Sequence, residues 1–433
     1  MTTITHARVL RIAGPIMLAN ATIPAMGAVN TAVIGQLGQA APMGAVGLGA
    51  VVLATLYWAF GFLRMSTSGL AAQAHGAGDG AERSAVLLRA LLIGAAAGLA
   101  LMLTQALLFR AAFAIAPASD AVESFARSYL SIRIWGAPAT IMLYAVTGWL
   151  IALERTRAVL ALQLLQNGLN VGLNLWFVLG LGHGVGGVAT ATLIAEWSGL
   201  GFGLWLCRAG FADLPGASAR LLRPAPLRAM VQASRDIMGR SVLLQLSFAS
   251  FVFLGARFGD VTLAANHVLL QFLEITAYAL DGLAFAAETL VGQAVGARAL
   301  CEARRAGLIS MQWGFAGACT LALIFALAGP ALIALMTTAP EVRAEAMHYL
   351  PWLIAAPVIG IASWILDGIF IGALLTREML RAMLVSVSLY AVALLVLIPT
   401  LGNHGLWIAL MLLNLTRAIT LWRALPALAK RMV

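Results

Sequence analysis

Lysine is all but absent from this chain: of its 27 basic residues, Lys430 alone is a lysine. A phosphate-binding loop for ATP closes with Gly-Lys-Ser or Gly-Lys-Thr, and Lys430 stands in neither context, which excludes ATP as a direct fuel. Charge of both signs is scarce, at 10% of residues where soluble domains carry about a quarter, and 62% of residues are hydrophobic. A single soluble core cannot hide that much apolar surface. Cysteine is limited to Cys207, Cys301 and Cys319, an odd set in or near apolar or cytoplasmic segments, so a disulfide framework is not expected and small apolar fillers are. His6, His75, His183, His267, His348 and His404 are scattered singly, without the spacing of a metal cluster, and no cofactor is implied.

Long apolar runs are what the chain has instead. Twelve stretches, each long enough for the roughly 20 residues that cross a bilayer, follow one another at about 11–36, 46–74, 86–113, 124–153, 159–181, 185–208, 231–257, 262–294, 305–336, 342–373, 379–400 and 404–426. The fold expected is an all-α integral membrane protein of twelve transmembrane helices, and the first stretch is too long for a cleavable signal core. The net charge of +10 could suit nucleic acid, but its distribution favours membrane orientation. With the amino terminus in the cytoplasm, 20 of the 27 basic residues fall on the inner side, which places both termini inside.

The chain also repeats itself at an offset of about 220 residues. Gly148-Trp-Leu-Ile-Ala-Leu-Glu-Arg-Thr-Arg157 aligns with Gly368-Ile-Phe-Ile-Gly-Ala-Leu-Leu-Thr-Arg377. Gln73, Gly76, Tyr129, Gly182 and Gly35 find Gln293, Gly296, Tyr349, Gly402 and Gly255 in the same register. Two parallel copies of six spans predict two lobes with a cargo site between them: residues 1–208, a Pro- and Arg-rich cytoplasmic linker at 209–230, and residues 231–433. Gly182, Gly184 and Gly187 match the spacing of a dinucleotide loop, but no strand–helix unit surrounds them and a helical hairpin is the better account.

Active transport without ATP must draw on an ion gradient, which calls for ionisable groups inside the membrane. Glu274, Asp281 and Glu288 in the eighth span recur at seven-residue steps and so share one helix face. They suit a proton or sodium relay, since shelter from water favours proton uptake by a carboxylate, or else ion pairs with Arg64, Arg133 or Arg417. Asp367, alone among apolar residues in the tenth span, must pair or protonate, and either behaviour makes it a second cation-coupling candidate, the alternative being a buried structural pair. Glu196 is a weaker candidate, and Asp236 beside Arg235 reads as a pair at a helix end. In the first half amides take the place of acids: Asn20 and Asn30 in the first span, Asn167, Asn170 and Asn174 in the fifth. Asn170 and Asn174 share a face that Thr192 can join, either to coordinate a cation such as sodium through oxygens or to bond helices together. Met26, Trp58, Phe62, Met65, Phe248 and Phe272 are candidate cavity walls or plain packing, and Pro15, Pro24, Pro138 and Pro357 can bend helices, the last two at nearby places in the repeats.

Six blocks in order resemble the multidrug and toxic compound extrusion (MATE) family, and within it the DinF subfamily. They are Val29-Asn-Thr-Ala-Val-Ile-Gly35, Leu63-Arg-Met-Ser-Thr-Ser-Gly-Leu-Ala-Ala-Gln-Ala74, Arg235-Asp-Ile-Met-Gly-Arg-Ser241, Tyr278-Ala-Leu-Asp-Gly-Leu-Ala284, Leu366-Asp-Gly-Ile-Phe-Ile-Gly-Ala373 and Leu401-Gly-Asn-His-Gly-Leu-Trp407. The resemblance implies two six-helix lobes around a central cavity, in a multi-pass protein of a bacterial inner membrane. It implies export of small amphipathic, often cationic, organic compounds in exchange for protons or sodium, by a monomer that needs no ATPase subunit and no nucleic acid. The family usually has an aspartate where Asn30 stands, and relatives have one where Asn174 stands, forming with Asn170 and Thr192 an amino-terminal cation site. An amide takes up no proton near neutral pH, which shifts the expected coupling to the second copy. Natural divergence and a deliberate imitation of the protonated state both account for the two amides. The rival to a coupled exporter is a non-transporting sensor or scaffold of the same fold.

Overall fold

The computed structural model describes residues 3–36, 40–115, 119–212 and 214–432, with the side chains of 23–28, 30, 31, 40 and 214 outside the description. Asn30 and Met26 therefore lie outside the described side chains. The first copy comprises α1 (His6–Gly35), α2 (Ala40–Trp58), α3 (Phe62–Gly76), α4 (Gly80–Leu103), α5 (Gln105–Ile115), α6 (Asp120–Arg133), α7 (Ala137–Ala152), α8 (Thr156–Asn174) and α9 (Gly184–Leu206). A short α10 (Leu214–Leu221) follows, then α11 (Pro224–Gly255), α12 (Asp260–Gly296), α13 (Leu300–Met336), α14 (Pro340–Gly372), α15 (Thr376–Leu401), α16 (Asn403–Ala424) and α17 (Pro426–Met432). Nine helical stretches among the described residues are long and apolar enough to cross a membrane. Helix α1, α8 with its π-helical end at Leu175–Gly180, and α9 occupy the other three of the twelve apolar runs. Within 209–230, α10 is held to α4 by Arg89, which donates to the carbonyls of Arg220 and Leu221 at 2.6 and 2.9 Å.

The copies differ in continuity. The second and fourth runs of the first copy are broken, at 59–61 between α2 and α3 and by a 3₁₀ turn at Ile134–Gly136 between α6 and α7. Their counterparts α12 and α14 run unbroken. Tight 3₁₀-type bonds close the first break, from the amide of Phe60 to the carbonyl of Tyr57 and from that of Gly61 to Trp58, each 2.9 Å. Pro138 does not kink a helix: it stands in the first turn of α7, where a missing N–H costs nothing, whereas Pro357 lies inside α14.

The repeat is written in the backbone as well as in the sequence. Left-handed residues recur at the same offset: Gly78 and Arg298, Glu154 and Leu374, Gly182 and Gly402. Arg298, Glu154 and Leu374 hold this conformation without being glycine, as helix-ending residues whose neighbours close back on the last turn. The amide of Arg155 bonds the carbonyl of Leu150, and that of Leu375 bonds Phe370, both at 2.9 Å. Helix crossings recur too. Gly148 lies on the carbonyl of Arg64, and Gly368 lies on the carbonyl of the matching Ala284. A side chain at either glycine would force the crossing helices apart.

Two compact units form, one of Leu18–Ala71 and Asp79–Met230, the other of Met1–Met17, Ala72–Gly78 and Val231–Val433. In the first, α2, α6 and α9 bury Tyr57, Tyr129, Leu130 and Val188. In the second, Trp407 meets Phe251 edge-on at 5.0 Å inside an apolar core from α11 to α16. Asn266 and Asn403 bond each other reciprocally at 2.7 and 3.0 Å there, and Trp407 donates to Asn266 at 2.9 Å, so that this buried polar group is satisfied. The start of α1 joins this unit through Arg8, which donates to Gln293 at 3.0 Å, and through the Ile4 amide on Glu302 at 2.8 Å.

Candidate functional site

Intramembrane charge concentrates in the second unit. On α12, seven-residue steps keep Glu274, Asp281 and Glu288 on one face, yet their burial is graded: Glu274 is exposed, Asp281 half-buried and Glu288 1% exposed. The gradient follows from how α12 packs. Near Glu288 the helix is pinched by small residues, with Gly372 of α14 on the Glu288 carbonyl and Gly292 against Ala72 of α3, so backbones approach and water is excluded. One and two heptads earlier the same face opens, and Glu274 accepts a hydrogen bond from Tyr278 at 3.1 Å.

Asp367 is paired. Its Oδ2 receives Arg240 at 3.0 Å and also Arg417, whose second amino group donates to Asn414 at 3.3 Å. Arg240, Arg417 and Asp367 come from α11, α16 and α14, and all three are buried. Two guanidiniums converge on this one carboxylate in a low dielectric, where it is their shared counter-charge. Of the three arginines that sequence offered as partners for the α12 acids, Arg417 is occupied by Asp367. Arg133 binds Glu196 in a buried two-pronged pair at 2.6 and 2.8 Å that ties α6 to α9. The main chain of Arg64 is the floor for Gly148. Asp236 accepts from Arg235 at 3.0 Å and from Thr376 at 3.1 Å. Arg240 is the participant that sequence reasoning did not single out. Its place five residues beyond Arg235, with apolar residues following, is the signal in the sequence.

In the first unit the amides assemble as the spacing predicts. Asn174 donates to Asn170 at 2.9 Å, Asn170 donates to Thr192 at 2.8 Å, and Thr192 donates to the Val188 carbonyl at 3.0 Å. This chain crosses from α8 to α9 at the point where α8 widens into its π-helical end, a geometry that recurs at functional sites. One turn earlier, Asn167 donates to Thr22 of α1 at 2.7 Å. Among the aromatic candidates, Phe272 is buried and packs on Phe325 at 6.1 Å, and Phe248 packs on the same core. Phe62 and Met65 are half-buried, and Trp58 is 41% exposed.

Known proteins share this plan. The MatE family model matches residues 15–176 and again 237–397, one match in each copy. DNA damage-inducible protein F of Escherichia coli (strain K12) is 39% identical over 428 residues, covering 95% of this chain and 91% of that protein. A probable multidrug resistance protein NorM of Deinococcus radiodurans is 30% identical over 349 residues, covering 73% of this chain and 70% of its own length. Among solved structures, a mutant of the Vibrio cholerae MATE transporter VcmN superposes with a TM-score of 0.84 at 20% identity, over 98% of this chain and 96% of that one. That last likeness bears on the fold alone.

Proposed function

The chain belongs to the MATE family of multidrug and toxic compound transporters, and on that premise we propose that it is a secondary antiporter exporting small amphipathic, often cationic, organic compounds. Inward movement of protons or sodium drives export, and cargo is exposed alternately to the two sides of the membrane. In sequence the two lobes are residues 1–208 and 231–433 joined by 209–230, with Met1–Met17 and Ala72–Gly78 packing in the compact unit of the second and 209–230 in that of the first, and the protein acts as a monomer in a bacterial inner membrane with both termini cytoplasmic. It needs neither a cofactor nor an ATPase subunit.

The observation that carries the coupling proposal is the graded stripe of carboxylates on α12. An acid as buried as Glu288 holds a charge only at a desolvation cost, so cation binding and lobe conformation are linked through that cost, while Asp281 and Glu274 offer stations of increasing access. Asp367 pairs with both Arg240 and Arg417. Asn170, Asn174 and Thr192, to which the family resemblance adds Asn30, make a polar site in the first lobe without a negative charge, suited to holding helices together or to weak sodium coordination. The test is export of a fluorescent organic cation from reconstituted vesicles under an imposed proton or sodium gradient. Gradient-driven movement is expected; if neither gradient moves cargo, and Asn30→Asp with Asn174→Asp restores none, the exporter reading fails.

A further inference from the structure

Between α13, α14, α16 and α17 the second unit holds a groove of about 590 Å³, lined entirely by residues of that unit. Arg304, Leu308 and Met311 stand at i, i+4 and i+7, so one face of α13 makes a wall running about 10 Å from a charged end into the apolar part of the helix. Gly307 deepens the groove there, since it has no side chain and Ile369 of α14 lies 3.0 Å from where its β-carbon would stand. Trp422 of α16 and the buried Leu428 of α17 line it as well. Leu308 and Trp422 are 61% and 62% exposed, so the groove opens outward rather than closing into a core. Its rim carries charge of one sign. Arg304 lines the groove, and Arg305, Arg423 and Lys430 are each next in sequence to a lining residue, all four exposed. Among the described residues none of the four has an ion pair or a hydrogen-bonded partner. Glu302 is the one acid in 300–311 and 422–433, and it accepts the Ile4 amide. Arg431 donates to the Leu374 carbonyl at 2.5 Å, which fixes α17 beyond the end of α14.

We propose that this groove seats one anionic phospholipid of the cytoplasmic leaflet, an acyl chain lying along α13 and the phosphate at the Arg304 end. The apolar walls call for a chain, and the unpaired cations at the rim call for a negative headgroup. An exposed tryptophan beside basic residues at a helix end is the pattern of a membrane interface. Other occupants fail on charge or on area. A cationic cargo is repelled by the rim, and a second copy of the chain brings the same positive rim to meet it. Free phosphate leaves the walls uncovered. A zwitterionic lipid carries its own cation beside the phosphate, which weakens its pull on the arginines. The proposal rests on the cytoplasmic placement of both termini in the preceding reading, because anionic lipids gather in that leaflet.

The experiment uses the full chain in detergent, titrated with dioleoyl phosphatidylglycerol or dioleoyl phosphatidylcholine and read by native mass spectrometry. One phosphatidylglycerol is expected to stay bound, at least fivefold more tightly than phosphatidylcholine, and Arg304→Gln with Arg423→Gln should remove that preference. Glycerol phosphate, which has the charge without the chains, should not displace it even in large excess. In vesicles of phosphatidylglycerol with brominated chains, Trp422 emission, taken as the difference between the unaltered protein and Trp422→Phe, should be quenched more than in brominated phosphatidylcholine. Equal binding of the two lipids by the unaltered protein, a preference that survives in the double variant, displacement by glycerol phosphate, or equal quenching of Trp422 in both vesicles would each overturn the proposal. The first of these needs no variant, so a variant that fails to fold does not shelter it. Binding in detergent is read without gradient or cargo, and its failure is distinct from failure of the exporter reading.

Discussion

Gly76 lies against the main-chain carbonyl of Gln293 so closely that a β-carbon there would fall far inside van der Waals contact, and Gly296 meets the carbonyl of Gln73 in the same way. The two relationships exchange under the 220-residue offset, so the ends of α3 and α12 cross through matched glycines of the two copies. Because the obstructing atoms are backbone, neither can swing aside. Gly76→Ala or Gly296→Ala should therefore cost at least about 1–3 kcal/mol, the overpacking range. Gly47→Ala on α2, which meets nothing within 4 Å, should be neutral or slightly stabilising. Thermal unfolding of the three variants side by side checks this; equal melting temperatures would refute the tight crossing.

Breaking the Arg133–Glu196 pair from one side leaves a buried guanidinium without its counter-charge. Glu196→Gln should lower stability by about 3–5 kcal/mol, and Arg133→Met combined with Glu196→Leu should recover most of that loss. A double-mutant cycle on purified protein reads the coupling, and a Glu196→Gln variant as stable as the parent would contradict the buried pair.

The α12 acids and Asp367 should separate by phenotype. Glu288→Gln and Asp281→Asn should lose gradient-driven efflux by about tenfold or more while the protein stays folded, as expected for groups that exchange a cation. Asp367→Asn should instead lower the melting temperature, and Arg417→Met added to it should restore part of the loss. Efflux assays paired with melting curves decide the matter: Asp367→Asn with full stability and abolished coupling would reverse the assignment.

Asp79, in the turn before α4, has its carboxyl pushed up by partial burial but held below the ordinary range by the stronger sum of the Glu82 amide and Arg220, which donates at 2.5 Å. A lowered folded value means that stability is present above the unfolded value of about 3.9 and fades as pH falls through the folded one. With Asp79 39% exposed, solvent screening limits the contribution to about 0.2–1 kcal/mol. Asp79→Asn should give a small melting-temperature loss at pH 7 that shrinks as pH falls below about 3.9 and vanishes only below the folded value. A loss that stays unchanged as pH falls from 7 to 2 would rule out the carboxylate charge as its source.

Legibility in the sequence divided along a physical line. The shared face of Glu274, Asp281 and Glu288 was readable because helix periodicity fixes azimuth within one segment. Their unequal burial was not, since it depends on Gly292 and Gly372 drawing α3 and α14 onto one end of α12. The Asn170–Asn174–Thr192 chain was readable in part, two of its members being one turn apart. Arg240 was passed over because an arginine near the inner end of an apolar run resembles any other orienting charge until a carboxylate from α14 is set beside it. The break between α2 and α3 was also missed: hydropathy runs continuously through 59–61, and only backbone bonding reveals the turn.

The sequence alone determined that this is a duplicated, all-helical membrane protein, because hydrophobic length, helix period and internal repetition can be read along the chain, and the resemblance to the MATE family rested on its six motif blocks. Tertiary structure decided which charges are partners. Arg133 with Glu196, and Arg240 and Arg417 with Asp367, lie 50 to 127 residues apart, and their meeting depends on the rotation and lateral packing of whole helices. In a low-dielectric interior that meeting sets the energy of each charge, so the duplicated architecture was legible from the chain, and its unequal electrostatics only from the fold.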